Sequence, residues 1–445
     1  MTKFFNSKIV KRIQIPLLCL AAIFGSTVAV AQVMTADEVS KVINGISKQL
    51  VENYVYPEKA KRMADFIKAN LADGKYNSIT DPGEFAQEVE KDLHSVVLDK
   101  HLAIILNKKY AQQKLEQAKT PEDDAITAQE LKELQRNNFG FEQVKILPGN
   151  LGYLDLRQFI STQYASETAA AAMNFLSNSD ALIIDLRKNG GGEPNMIQFL
   201  TSYLYDVEPV HISGFYWRPT DTFTENYTLP YIPGKRRPDI DVYILTSKRT
   251  FSAAEEFSYN LKHLKRATVI GEVTGGGAHP GDAEAVNDRF LIWIPTGRST
   301  NPITKTNWES VGVQPDIKVA AIDALATAQK LALENLAKKD GADKKYYRWT
   351  LAAVKAQLSP VNLSTKTLKS YTGEYGPRKI SLDHGRLFSQ YKDRPKQELT
   401  ALDKTLFGLK HVDYIRLAFI VENNQIVGLK EHYDNGRTRI QDKVN

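Results

Sequence analysis

The sequence predicts an α/β core with a largely parallel sheet, preceded by a small helical domain and followed by a small all-β domain. Three observations carry that prediction. From Gly152 onward, short apolar runs alternate with helical segments; three amphipathic segments precede them; beyond Leu368 the helical period gives way to alternating segments separated by turn residues.

At the start of the helical domain, Thr35-Ala36-Asp37-Glu38 has capping-box spacing, and Val39, Val42, Ile43, Ile46 and Leu50 follow at helical intervals. A second helix carries Met63, Ile67 and Leu71. A third starts at Pro82, a favoured first helical position, and carries Phe85, Val89, Leu93 and Val96. Leu102 to Leu106 is too short for a helix and reads as a strand. From Lys108 to about Asn138 the chain is polar and charged, a solvated helical or flexible connector. The core strands are read at Leu151–Leu156, Ala181–Leu186, Val242–Leu245, Thr268–Ile270 and Phe290–Ile294, with helices at Thr168–Leu176, Asn195–Leu204 and Ala253–Leu264. A helix from Ile322 to about Leu336 leads to the lysine-rich stretch Lys338–Lys345. Then Asp383-His384-Gly385, Glu422-Asn423-Asn424 and Asp434-Asn435-Gly436 signal hairpin turns. The expected division is a signal peptide over 1–31, the helical domain over 32–107, the connector over 108–147, the α/β core over 148–340 and the β domain over 346–445.

Composition bounds the function. The chain has 445 residues, 42% of them hydrophobic and 25% charged, which excludes a disordered or collagen-like chain. Its 58 basic against 52 acidic residues give +6, but Lys3, Lys8, Lys11 and Arg12 stand in the first 31 residues without an acid. The remainder is nearly neutral, so a nucleic-acid partner has no electrostatic support. Those cations, the apolar run Ile15–Val30 and the small-x-small triplet Ala29-Val30-Ala31 read as an export signal cleaved after Ala31. The single cysteine, Cys19, lies inside that run. Without it, disulfide, thiol-nucleophile and Cys-zinc chemistries are excluded together. No second run approaches the ~18 apolar residues of a membrane span. The expectation is a periplasmic or secreted protein with no integral membrane segment once the signal is removed.

Two segments can carry chemistry. In Val242 to Phe257 a buried strand runs through a polar turn into a helix that begins at Ser252. A hydroxyl there sits among unpaired backbone N–H groups at the positive end of the helix dipole, where an oxyanion is stabilised. Serine is equally a favoured helix cap. In Ala181 to Gly192 a buried strand runs into three glycines, whose backbone amides can approach an anion closely, as an oxyanion hole requires, or make a plain turn. The G-x-G-x-x-G spacing of a dinucleotide site is absent.

With these segments in place, the chain resembles the C-terminal-processing (tail-specific) serine protease family, in the branch of the tricorn core and the repeats of interphotoreceptor retinoid-binding protein. The matching stretches are Asp99-Lys100-His101-Leu102, Gly152-Tyr153-Leu154, Asp185 to Gly192, Thr250 to Phe257, Gly271 to Gly277, and Asn307 to Asp316, in the family's order. The resemblance implies a crotonase-like/ClpP-like core with Ser252 as nucleophile and the amides of Ala253 and one loop glycine, Gly191, as oxyanion hole. The lysine that serves as base in the tail-specific branch falls at Gly277 and is missing, so a Ser-Lys dyad cannot be carried over. The tricorn-like branch uses a histidine and a glutamate, whose counterparts are His101 and Glu309. Lys100 replaces the serine that precedes the histidine in that pattern. His279, two residues past Gly277, is the alternative base. Arg298, Asn301 and Trp308 read as loop-shaping or peptide-contacting, and His94 as packing.

The eight histidines show no metal-ligand spacing, and neither a metal nor an organic cofactor is expected. No stretch between His101 and Gly152 is long enough for a PDZ domain. Substrate choice then falls to the helices, to the β domain, or to the aromatic-rich Val207–Pro238 insertion with Tyr216, Trp217, Tyr227 and Tyr231. The reading is an exported serine endopeptidase acting on peptides or proteins through an acyl-enzyme at Ser252. The alternative is a non-catalytic peptide- or lipid-binding protein on the same fold. A β-lactamase-like or esterase activity lacks its S-x-x-K and G-x-S-x-G signatures around Ser252.

Overall fold

The computed structural model describes residues 33–117, 126–339, 341 and 343–444, so the export signal and Cys19 lie outside the described residues. The chain divides into two compact units. One holds the chain through Lys145 together with Gly152–Ala321, and the other holds Ile146–Leu151 together with Ile322–Asn445.

In the first unit, helices α1 (Ala36–Asn53), α2 (Pro57–Ala72) and α3 (Pro82–Val96) start at Thr35, Pro57 and Asp81, where the capping and proline signals stand. Thr35 and Asp81 each accept a backbone N–H three residues on, from Glu38 and Glu84, which satisfies a donor the helix leaves open. A short strand, β1 (Ala103–Leu106), precedes the connector helices α4 (Lys108–Gln117) and α5 (Ala128–Arg136).

Next come β2 (Phe141–Leu147), β3 (Leu151–Leu156), α6 (Thr162–Phe175), β4 (Ala181–Asp185), α7 (Pro194–Ser202), β5 (His211–Trp217), β6 (Thr222–Tyr227), β7 (Asp241–Thr246), α8 (Ala253–His263), β8 (Thr268–Gly271), β9 (Gly281–Ala285), β10 (Phe290–Pro295), β11 (Gly297–Thr300) and β12 (Ile317–Lys318). A six-stranded sheet has the order β12-β8-β7-β4-β3-β2, and β4, β7, β8 and β12 run parallel. Every residue of β4 is buried, as a parallel strand covered on both faces must be. Leu182, Ile184, Val242 and Ile244 pack against Ala169, Met173, Ile197, Leu200, Phe257 and Leu261 of the helices. The β5–β6 hairpin pairs with β11 in a second sheet, and so forms the aromatic insertion read from the sequence. The third sheet, β1-β10-β9, packs Ile104, Phe290, Ile292 and Ile294 into the core of α1–α3. The N-terminal helices therefore share their core with strands from the far end of the unit.

The second unit contains α9 (Ala324–Leu336), α10 (Lys344–Leu358), α11 (Thr365–Ser370) and strands β13 (Gly373–Tyr375), β14 (Arg378–Asp383), β15 (Arg386–Tyr391), β16 (Gln397–Ala401), β17 (Leu406–Leu409), β18 (Val412–Glu422), β19 (Gln425–Tyr433) and β20 (Thr438–Val444). These eight strands close into a barrel around Tyr371, Tyr375, Phe407, Leu417, Phe419 and Leu429. Residues 346–358, expected at the start of the β domain, are helical instead. Tyr347, Thr350 and Val354 form the buried stripe of α10, a helical period that the lysines around it obscure.

Candidate active site

The carboxyl ends of the parallel strands face one cleft, the usual ligand position in such sheets. β4 delivers the glycine loop, β7 delivers Ser252, and β8 delivers the Glu272–Pro280 segment. From the opposite side, the Asp99-Lys100-His101 turn between α3 and β1 delivers a histidine.

Ser252 adopts φ +54°, ψ −122°, a conformation uncommon for a residue with a Cβ and unlike the extended backbone of an ordinary cap. Its Oγ lies 3.1 Å from His101 Nε2. The tight turn is held from both sides. Thr250 Oγ1 donates to the Leu186 carbonyl and Phe251 N–H to the Asn189 carbonyl, tying the β7 exit to the β4 exit. The Ser252 N–H donates to Glu255 Oε2. Glu255 also accepts from the amides of Gly276 and Gly277 and from Thr274 Oγ1, so one buried carboxyl fixes the nucleophile's backbone and the adjoining loop together. Burial raises the Glu255 pKa to about 7 against the opposing pull of those hydrogen bonds. The S-x-x-E spacing is the sequence signal for this residue.

His101 is 6% exposed, and its ring lies 4.7 Å from the Phe251 ring, tilted by 39°. Burial lowers its pKa to about 4, Asp99 opposing, so the imidazole is neutral and can accept a proton. Its Nδ1 is buried without a hydrogen-bond partner among the described residues. Among the described residues no hydrogen bond joins Glu309 to His101: Glu309 faces His279, with Oε2 at 3.4 Å from His279 Nδ1 and 2.6 Å from the Ala278 amide. The carboxylate closest to His101 in sequence, Asp99, accepts the His101 amide at 3.1 Å, the Tyr54 hydroxyl at 2.9 Å and contacts His279 Nδ1 at 2.7 Å. The His279 imidazole is thereby held between Asp99 and Glu309, while its Nε2 lies 3.4 Å from the Tyr56 hydroxyl. Both of its nitrogens are thus engaged, and among the described residues neither bonds Ser252. Tyr54, Tyr56 and the pairing of Asp99 with His279 carried no spacing signal, because 180 residues separate the two partners.

Asp99, His279 and Glu309 also place ligand-type atoms within 4.8 Å of one another, with His279 Nδ1 lying 2.7 Å from Asp99 and 3.4 Å from Glu309.

Gly277, where the tail-specific lysine would stand, is explained by the same geometry. A Cβ there would lie 2.7 Å from His101 Cε1 and 2.3 Å from Phe251 Cζ, so no side chain at 277 coexists with the histidine in this position.

The amide of Ala253 heads α8 beside the nucleophile. Gly191 takes another part than expected, since its amide donates to Asn189 Oδ1 at 2.8 Å and its carbonyl accepts from Phe159 N–H. The bridge between Phe159 and the loop uses the Gly191 carbonyl and the Glu193 amide, not the Gly192 amide, and Gly192 lines the cleft beside Ala253. At φ +133°, with an added Cβ only 2.1 Å from the Phe159 carbonyl oxygen, position 192 admits glycine alone.

The remaining loop residues shape the site. The Trp308 indole N–H donates to the Gly277 carbonyl at 2.7 Å, Asn301 Nδ2 to Asn260 Oδ1 at 2.8 Å, and Arg298 lies over the Tyr216 ring at 4.8 Å. Lys100 Nζ donates to the Gly275 carbonyl. His94 Nε2 lies 2.9 Å from the Leu102 carbonyl, a packing role.

A serine at a strained strand-to-helix turn, facing a buried neutral imidazole and flanked by backbone amides, places the site in the class of serine-nucleophile hydrolases. The model of peptidase family S41 matches residues 150–319, and that of the N-terminal domain of Peptidase_S41 in eukaryotic IRBP matches residues 27–148. The chain belongs to peptidase family S41. It is 29% identical over 185 residues to carboxyl-terminal-processing peptidase 2, chloroplastic, of Arabidopsis thaliana, covering 38% of this chain and 33% of that relative. The match thus spans about a third of the relative's length. Similar solved structures include a putative peptidase from Parabacteroides merdae ATCC 43184 (20% identity, 66% of this chain and 96% of that one, TM-score 0.47). Others are the photosystem II D1 C-terminal processing protease (13%, 64% and 93%, TM-score 0.41) and the tricorn protease (13%, 72% and 37%, TM-score 0.36).

Proposed function

We propose that this protein is an exported serine peptidase that hydrolyses peptide bonds through an acyl-enzyme at Ser252, with His101 as general base. The observation that carries the reading is the 3.1 Å approach of Ser252 Oγ to the Nε2 of a buried, neutral His101. In the proposed cycle His101 Nε2 takes the hydroxyl proton as Oγ bonds to the substrate carbonyl carbon. The oxyanion is held by the amides of Ala253 and Gly192. When the intermediate collapses, the C–N bond breaks and the His101 proton goes to the leaving amine. Water, deprotonated by the same nitrogen, then releases the acid and restores the serine. Glu309 and His279 act behind the base, holding Asp99 in the turn that presents His101.

The export part of the proposal rests on the basic start, the apolar run and the Ala29-Val30-Ala31 triplet, and places the mature chain in a periplasm or outside the cell. Among the described residues, no helix is long and apolar enough to cross a membrane.

The test is incubation of the purified protein with an unfolded protein substrate and mass analysis of the products. Cleavage by wild type and none by Ser252→Ala supports the peptidase. Saturable peptide binding with no product, equal in both proteins, supports the binding-protein alternative.

A further inference from the structure

The cleft does not end at the nucleophile. The cavity that Ser252, His101, Ala253 and Gly192 line measures about 60 Å³ in all, room for about four to six water-sized groups. Apolar walls, among them Phe215, Trp293 and Trp308, surround two carboxyl groups, Glu193 and Glu256.

Among the described residues neither acid has a cationic partner. Glu193 is 8% exposed, and its side chain makes no hydrogen bond or ion pair among the described residues. The charge that acts on it is another acid's, Asp282, which is already paired with Lys114 at 3.0 Å. Glu256 is 3% exposed and accepts only the Ser213 hydroxyl, at 2.9 Å. Burial raises the Glu193 pKa to about 8, with Asp282 adding to the rise, and the Glu256 pKa to about 7, with Ser213 opposing. Burying two acids without a counter-ion is unfavourable, and such groups beside a nucleophile call for a ligand that completes them.

The complement has a defined shape. It needs a cation at its end to meet a buried carboxyl and an apolar stem to lie along the aromatic walls. It also has to fit within a cavity of about 60 Å³. A lysine side chain meets all three conditions, with a smaller cationic head than the planar guanidinium of arginine. The cavity adjoins Ser252 and the Ala253 and Gly192 backbone, within reach of the side chain of the residue whose carbonyl Ser252 attacks.

Building on the proposed peptidase reading, we propose that Glu193 and Glu256 form a specificity pocket that selects lysine at the residue whose carbonyl Ser252 attacks.

The test uses reporter peptides that differ only at that residue, carrying lysine, norleucine, arginine or alanine. Norleucine keeps the stem without the charge. The expected result is kcat/KM for lysine at least about 100-fold above norleucine, with arginine below lysine, and a collapse of the lysine-to-norleucine ratio in Glu193→Gln and in Glu256→Gln. A second measurement needs no variant. n-Butylammonium, the lysine side chain alone, should slow fluorophosphonate labelling of Ser252, and n-butanol should not. Labelling of wild type with no lysine preference and no butylammonium protection would overturn the pocket while leaving the peptidase reading intact; a preference for alanine would show a pocket for small uncharged residues. Absence of labelling in folded wild type would instead overturn the nucleophile, and this proposal with it.

Discussion

At the residue scale the site is a set of close approaches that leave little room for substitution. Gly277→Ala puts a methyl group 2.7 Å from His101 Cε1 and 2.3 Å from Phe251 Cζ. It should displace the imidazole and lower peptide hydrolysis by at least about 100-fold, the general-base contribution, with circular dichroism unchanged. His101 also sets the pH response. Its folded pKa, lowered to about 4, means the base form persists well below 6.5, where an ordinary histidine titrates. The acid limb of kcat/KM against pH is therefore expected near pH 4 to 5 rather than near 6.5. The sign for stability is the same: the buried neutral ring stabilises the fold above pH 6.5, and that contribution is lost as pH falls from 6.5 toward 4. A limb centred near 6.5 would place the titrating base elsewhere. Ser252, His101 and Ala253 were legible from the sequence because each belongs to a local motif. The partners of Glu309 and the unpaired environment of Glu193 were not, since both are set by segments that meet only in the folded core.

At the element scale, the turns at the strand ends do the positioning. Gly192 and Gly385 both have positive φ, at +133° and +77°, but a Cβ on Gly192 would sit 2.1 Å from the Phe159 carbonyl oxygen, while nothing lies within 4 Å of one on Gly385. Gly385→Ala should cost about 1 kcal/mol through backbone strain alone. Gly192→Ala should cost about 3 kcal/mol or more, since the β4 exit must shift as well, and should abolish hydrolysis. Urea denaturation of the two variants checks the difference, and equal losses would remove the steric argument. The strands of the central sheet were readable as continuous apolar runs, and the barrel hairpins as Asp-Asn-Gly and Asn-Asn turns. Helix α10 was not, because its buried stripe of Tyr347, Thr350 and Val354 is interleaved with charged and small residues. The β5–β6–β11 sheet read only as an aromatic insertion, because β6 is nearly all exposed and so lacks an apolar alternation.

At the scale of the whole molecule, the two units have separate cores. Within the barrel, Arg378 and Glu431 form an ion pair at 2.8 Å with side chains 6% and 0% exposed. Arg378→Met leaves Glu431 buried without its cation and should destabilise the barrel by about 3 to 5 kcal/mol. Hydrogen exchange is expected to show faster opening in β14, β15 and β19, with unchanged protection in β4 and β7. Equal loss of protection in both units would show that they unfold as one. The catalytic account itself depends on one event, activation of Ser252 by His101, and the most direct measurement is the rate of fluorophosphonate labelling followed by intact mass. Wild type should be labelled at Ser252 and Ser252→Ala not at all. His101→Ala should label slower by about 100-fold or more, while His279→Ala should retain labelling at a reduced rate. Labelling of His101→Ala at the wild-type rate would contradict the account.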